Sequence, residues 1–132
     1  MGVDEIELTL PADDAFHRVA HLVLGGLASR HDLTVESLED LTLALDTLLD
    51  QYGDYIDVVT LRMRIGDEDV HLDVGPFSEV DVRAGIDHSS ADSLDIHRIL
   101  AAVVDNVSVD DRDGAQWVKL EKRVQRARGE AA

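Results

Sequence analysis

The sequence is poor in several residue types, and each shortage excludes a class of structure or site. It has no cysteine, only two prolines and one tryptophan in 132 residues. Without cysteine, disulfides and thiolate metal sites are both excluded. No apolar run approaches the roughly 18 residues of a membrane-spanning helix. The N-terminus also lacks the basic and apolar regions of a signal peptide. We therefore expect a cytoplasmic protein that does not enter the membrane.

Basic residues are scarce as well. The chain carries 12 Lys and Arg against 28 Asp and Glu, a formal net charge of −16. A field of that sign repels nucleic acid, and it suits either simple solubility or a basic protein partner. The length predicts a single domain over residues 1–132. We expect its core to span about 5–124, with a locally basic, fraying tail at 125–132.

The hydrophobic pattern predicts both helices and strands. Three segments combine helical apolar spacing with plausible N-caps, at 14–29 (Asp13 or Asp14), 35–51 (Thr34) and 91–104 (Ser90 or Asp92). In the first helix the repeating apolar positions are Phe16, Val19, Ala20, Val23 and Leu27.

Alternating segments predict the strands. They are "EIELTLP", a hairpin of 59–65 and 70–74 turned at "GDED", a short strand at Val80 and Val82, and a last hairpin turned at "DRDG" that carries Trp117. Strands and helices in this order predict an α+β two-layer sandwich.

Motifs of general chemistry are weak. His17 and His21 lie four residues apart, a spacing that can hold zinc on a helix, but no third ligand is evident and we predict no metal site. Ser89 and Ser90 have no partner pattern that would support a hydrolase triad. The sequence also lacks a P-loop and a Gly-x-Gly-x-x-Gly motif. We predict no catalytic residue from these patterns.

A longer stretch carries a resemblance. "ELTLPADDAFHRVAHLVLGGLASRHDLTVESLEDLTLALDTLL", followed more weakly by "HLDVGPF" and "SLDIHRILAAVVDNVSV", is similar to the bacterial anti-sigma-factor serine kinases. The resemblance implies a histidine-kinase-like (Bergerat) ATPase fold, with three helices on one face of a mixed, mostly antiparallel sheet. It also implies a homodimer that binds a sigma factor or its antagonist, with the first helix, through Arg18 and His21, contributing to the partner surface.

The resemblance further implies where ATP and Mg²⁺ would bind in an active member. Thr47 and Gln51 stand where that family has a catalytic acid and a magnesium-binding Asn. Asp73 and Gly75 match the Asp-x-Gly that reads adenine, although Asp73-Val74-Gly75 can also be the plain end of a strand. The glycine-rich lid is matched by "SSADSLDIHRIL", which has no glycine.

Thr47 is not a carboxylate base, and Asp46 lies about 100° away around the helix. Aspartates in the lid stretch would repel phosphate. We therefore expect a degenerate member, without a cofactor, that acts by protein binding. Two alternatives stay open, an active ATP-dependent serine kinase of the same fold and an unrelated acidic α+β interaction domain.

Overall fold

The helices and strands come from a computed structural model, which describes residues 2–87 and 96–127. In chain order they are β1 (Asp4–Pro11), α1 (His17–Arg30), α2 (Val35–Tyr52), β2 (Val58–Ile65), β3 (Asp69–Phe77), α3 (Val82–Asp87), α4 (Ile96–Val103), β4 (Asn106–Arg112) and β5 (Ala115–Arg123). Short 3₁₀ turns precede α1 at Asp14–Phe16 and follow α2 at Gly53–Tyr55.

The strands form one open sheet in the order β1-β2-β3-β5-β4. Every pairing between these strands is antiparallel, so the mixed sheet expected from the resemblance is not found among the described strands. Leu61, Leu72 and Val118 mark the face that packs against the helices, and all three are completely buried. Residues that alternate with these along each strand point to the other face of the sheet, which we call the open face. The two-layer α+β sandwich predicted from the sequence is thus confirmed.

Local signals position the first two helices. Thr34 Oγ1 accepts the Ser37 N–H at 3.1 Å and caps α2, as the sequence predicts. The N–H of Gly53 donates to the Leu49 carbonyl where α2 ends. Asp13 accepts from the Ala15 N–H at 3.0 Å, but it begins the 3₁₀ turn, and α1 itself starts three residues later than predicted. The predicted start of the third helix at 91–95, with its caps Ser90 and Asp92, lies outside the described residues.

The short strand predicted around Val80 and Val82 is wrong, because Val82 opens helix α3. Gln116 of β5 explains the difference. Its Oε1 accepts the N–H groups of Val82 and Arg83, at 2.7 and 3.1 Å. Asp81 also accepts the Ala84 N–H at 3.3 Å. Amide groups at a helix start need such acceptors, and here a distant strand supplies one of them.

The fraying predicted for the basic tail is not found at its described residues, 125–127. The Thr34 N–H donates to the Gln125 carbonyl at 2.9 Å, and the Arg126 guanidinium contacts Asp67 at 3.1 Å. Residues 125–127 therefore pair with the connection between α1 and α2 rather than fraying. Residues 128–132 lie outside the described residues. Among the described helices, none is long and apolar enough to cross a membrane.

Candidate functional site

The predicted remnants of a nucleotide site do not come together. Gln51 is exposed in the last turn of α2, in the helix layer. Asp73 lies in β3 between the buried residues Leu72 and Val74, so its side chain projects from the open face. The sheet separates the two side chains. One small ligand bound on either side of the sheet would not contact both.

Asp73 belongs to a network of charges on the open face. Its carboxylate accepts from the Arg112 guanidinium at 3.0 Å, and Arg62 and Lys119 are its register partners on the two neighbouring strands. Arg112 also contacts Asp110 at 2.7 Å, and this hydrogen bond lowers the pKa of the Asp110 carboxyl. Asp73 thus forms an ion pair with Arg112 of β4 on the open face.

Gly75 lies beneath an aromatic ring on the same face. A Cβ atom at this position would be 2.7 Å from Cδ2 of Trp117. Trp117 is in β5, as predicted, and the guanidinium carbons of Arg62 and Arg112 lie 5.0 and 5.2 Å from its ring centroid. Both distances are within cation–π range. Close approach of this ring is therefore a structural reason for glycine at position 75.

Aromatic and aliphatic side chains fill the space where α2, β3 and α3 meet. The rings of Tyr52 and Phe77 pack edge to face with centroids 5.7 Å apart. Val82 and Ile86 of α3 are buried in the same core. Burial raises the pKa of the Tyr52 hydroxyl, as expected for a phenol removed from water. Most of the predicted lid, residues 88–95, lies outside the described residues.

Thr47, which the resemblance aligns with a catalytic acid, and its neighbour Asp46 both have other partners. Thr47 Oγ1 donates to the Leu43 carbonyl one turn earlier at 2.7 Å, so its hydroxyl is bound to its own helix. Asp46 contacts His21 Nε2 at 2.6 Å. It therefore points toward α1, consistent with the 100° offset inferred from the sequence. Neither side chain is placed as a free general base.

An exposed apolar strip runs along the outer side of α1. We call it the α1 stripe, and it consists of Phe16, Val19, Leu22 and Gly26. Leu22 is 69% exposed, and Phe16 and Val19 are 39% and 37% exposed. Phe16 and Val19 belong to the apolar repeat found in the sequence, but neither of them is buried. The buried face of α1 instead carries Ala20, Leu24, Leu27 and Ala28.

Glycine makes this helix face unusually open. A Cβ atom at Gly25 or Gly26 would meet nothing within 4 Å. Close packing against another element of the described chain therefore does not explain the pair. Each glycine in a helix interior costs about 1 kcal/mol relative to alanine. A flat surface over exposed backbone lets a second protein approach closely, as small residues do at helix interfaces.

Arg18 and His21, the predicted partner residues, differ in their surroundings. Arg18 is exposed next to Val19 and Leu22. The His21 side chain is 36% exposed and is held by its hydrogen bond to Asp46 on α2. His21 is therefore part of the joint between α1 and α2 rather than a freely exposed contact. Sequence reasoning missed Leu22, whose only signal was an apolar residue between the core-facing positions of the helix.

Comparison with known proteins identifies a fold relative. The chain is similar to the crystal structure of the RsbU and RsbW domains of Rv1364c from Mycobacterium tuberculosis, with a TM-score of 0.67 and 14% sequence identity. The similarity covers 93% of this chain and 32% of that one, so the chain spans about a third of its length. No protein-family model and no curated protein matches the sequence. The structural match supports the fold.

Proposed function

We propose that this protein is a regulator of the anti-sigma-factor type that acts by binding another protein, without ATP chemistry. The observation that carries the proposal is the α1 stripe. Exposed large apolar side chains beside two unobstructed glycines form a surface that a folded partner can cover. Burying a Leu side chain contributes about 1.5–3 kcal/mol, so Leu22 is the natural centre of the contact.

Two likenesses support this type of partner. Stretches of the sequence resemble the anti-sigma-factor serine kinases, and the fold is similar to a structure of RsbU and RsbW domains. The partner we propose is accordingly a sigma factor or its antagonist. The net charge of −16 favours a basic surface on that partner. The likeness to the kinases also leads us to propose a homodimer.

A panel of purified partners tests the proposal. Sigma factors and anti-sigma antagonists from the source organism are immobilised one by one, and binding of the intact chain is recorded at several salt concentrations. We expect saturable binding to at least one of them, with an association rate that falls as ionic strength rises. Binding to none of the panel would refute the proposed function. Light scattering of the free chain tests the dimer separately, and a strictly monomeric species would refute that part alone.

We expect no saturable heat when ATP or ADP with Mg²⁺ is titrated into the protein at millimolar concentration. The physical reasons are the bound hydroxyl of Thr47, the separation of Gln51 from Asp73 by the sheet, and Phe77 packed against Tyr52. Isothermal calorimetry measures this directly. A dissociation constant in the micromolar range, with a melting temperature that rises with nucleotide concentration, would instead favour the active-kinase alternative.

A further inference from the structure

Three potential metal ligands meet at the start of α1, outside the surfaces described above. Asp14 and His17 come from the 3₁₀ turn and the first turn of α1, and Asp50 comes from the last turn of α2. One ligand atom from each lies within 4.8 Å of the other two. The cluster thus brings one imidazole and two carboxylates together where the start of α1 lies near the end of α2.

His17 has an unused nitrogen in this cluster. The side chain is only 15% exposed, and Nε2 itself is buried without a hydrogen-bond partner among the described residues. Its nearest carboxylate oxygen, on Asp14, is 3.7 Å away, which is too long for a hydrogen bond. A buried polar atom left without a partner is destabilising, and such atoms are rare in folded proteins. Nε2 of His17 is therefore expected to bind a group that the neighbouring described side chains do not provide.

Asp50 is unfavourably placed for folding alone. The C-terminal end of a helix carries partial negative charge, which favours cations and disfavours carboxylates. The last turn of α2 contains no basic residue. Asp50 also faces the carboxylate of Asp14 across the cluster. A cation bound between them would neutralise both carboxylates and interact favourably with the end of α2.

The hydrogen bonds of the neighbouring histidine separate it from this cluster. His21 is four residues from His17, the spacing that suggested a zinc pair in the sequence. Its Nε2 instead contacts Asp46 at 2.6 Å. The two histidines therefore do not share a ligand. The two ligands that the sequence did not reveal are Asp14, three residues before His17, and Asp50 of α2, which approaches His17 only in the folded chain.

We propose that Asp14, His17 and Asp50 form a binding site for a divalent transition metal ion such as Zn²⁺ or Mn²⁺. One neutral imidazole and two carboxylates supply charge and donor types suited to these ions. Ligand atoms around a tetrahedral ion with bonds of about 2.1 Å lie closer together than in this cluster. The Asp14 side chain is 94% exposed, so it can rotate toward the other two ligand atoms. Water completes the coordination. The bound ion links the start of α1 to the end of α2 through its protein ligands.

Calorimetric titration of the intact chain with ZnCl₂ and with MnCl₂ tests the site, with MgCl₂ as the comparison. We expect one ion per chain and a melting temperature that rises with metal concentration. The variants His17→Gln and Asp50→Asn should each weaken binding by at least about tenfold. Asp50 is exposed, so its variant is expected to fold normally even if the variant of the less exposed His17 does not.

His97→Gln is the matched control, because His97 is an exposed histidine on α4 and is not one of the three clustered residues. It should leave the affinity unchanged. The absence of saturable Zn²⁺ and Mn²⁺ binding would overturn the proposal. Equal binding by the parent chain and Asp50→Asn, or loss of binding in His97→Gln alone, would overturn it as well.

Discussion

Replacing Leu22 with Glu is expected to weaken partner binding by at least about tenfold, because contacts at the centre of an interface carry most of its free energy. The substitution would place a carboxylate in the middle of the α1 stripe, where a partner has to exclude water. Leu22 is 69% exposed, so the change removes little packing from the free protein. We expect the free energy of unfolding to shift by no more than about 0.5 kcal/mol, as for most surface substitutions.

Val35→Glu is a well-matched control for this experiment. Val35 is 70% exposed, apolar and helical like Leu22, but it lies in the first turn of α2 and outside the stripe. It makes the same change in charge, so a general effect of added acidity on a basic partner would appear in both variants. Equal weakening by the two substitutions would contradict a specific contact through α1. Light scattering of the same proteins would show whether Leu22→Glu instead dissociates a homodimer.

His21→Glu is a poorer test, although the resemblance pointed to His21. Its imidazole is hydrogen-bonded to Asp46, so a glutamate there would set two carboxylates against each other between α1 and α2. A loss of binding could then come from a shifted helix. Arg18→Glu avoids this complication because Arg18 is exposed beside the stripe. The partner surface is thus tested more cleanly through Leu22 and Arg18.

Much of the fold could be predicted because local sequence signals and tertiary packing agree. Thr34 caps α2, and alternation of apolar residues predicts β1 and both hairpins. The turn predicted in "DRDG" is confirmed, with Asp113 and Gly114 both at positive φ, as a two-residue type I′ hairpin turn requires. In each case the residues that determine the conformation are close neighbours in the chain.

The errors concern features set by distant residues. Helix α3 depends on Gln116, which is 34 residues from Val82. The apolar positions of α1 did not identify its core face, since Phe16 and Val19 repeat at helical spacing but remain exposed. The role of Asp73 could not be read from "DVG" either, because its partner Arg112 comes from another hairpin. Periodicity shows that a helix or strand is amphipathic. Contacts with residues distant in the sequence determine which of its residues are buried and which form ion pairs.

Gly75→Ala is expected to destabilise the protein by about 1–3 kcal/mol, the usual cost of overpacking a well-filled site. Two effects oppose each other at this position. Replacing glycine inside a strand usually gains about 0.5–1 kcal/mol of chain entropy. The new Cβ, however, would lie 2.7 Å from Cδ2 and 3.0 Å from Cε3 of Trp117, which is shorter than an ordinary van der Waals contact between carbon atoms. The Trp117 side chain is buried, and the guanidinium groups of Arg62 and Arg112 pack against its ring, so the ring has little room to move and the clash should dominate.

A double-mutant cycle with Trp117→Leu shows whether the indole is the cause. Chemical denaturation of the parent, both single variants and the double variant gives the coupling free energy. Leucine removes the ring while keeping an apolar side chain, so Gly75→Ala should cost at least about 1 kcal/mol less in that background. Gly75 is not among the residues with positive φ, so a left-handed backbone conformation is not the reason for glycine here. A neutral Gly75→Ala, or an undiminished cost after Trp117→Leu, would show that packing against the ring does not require glycine here.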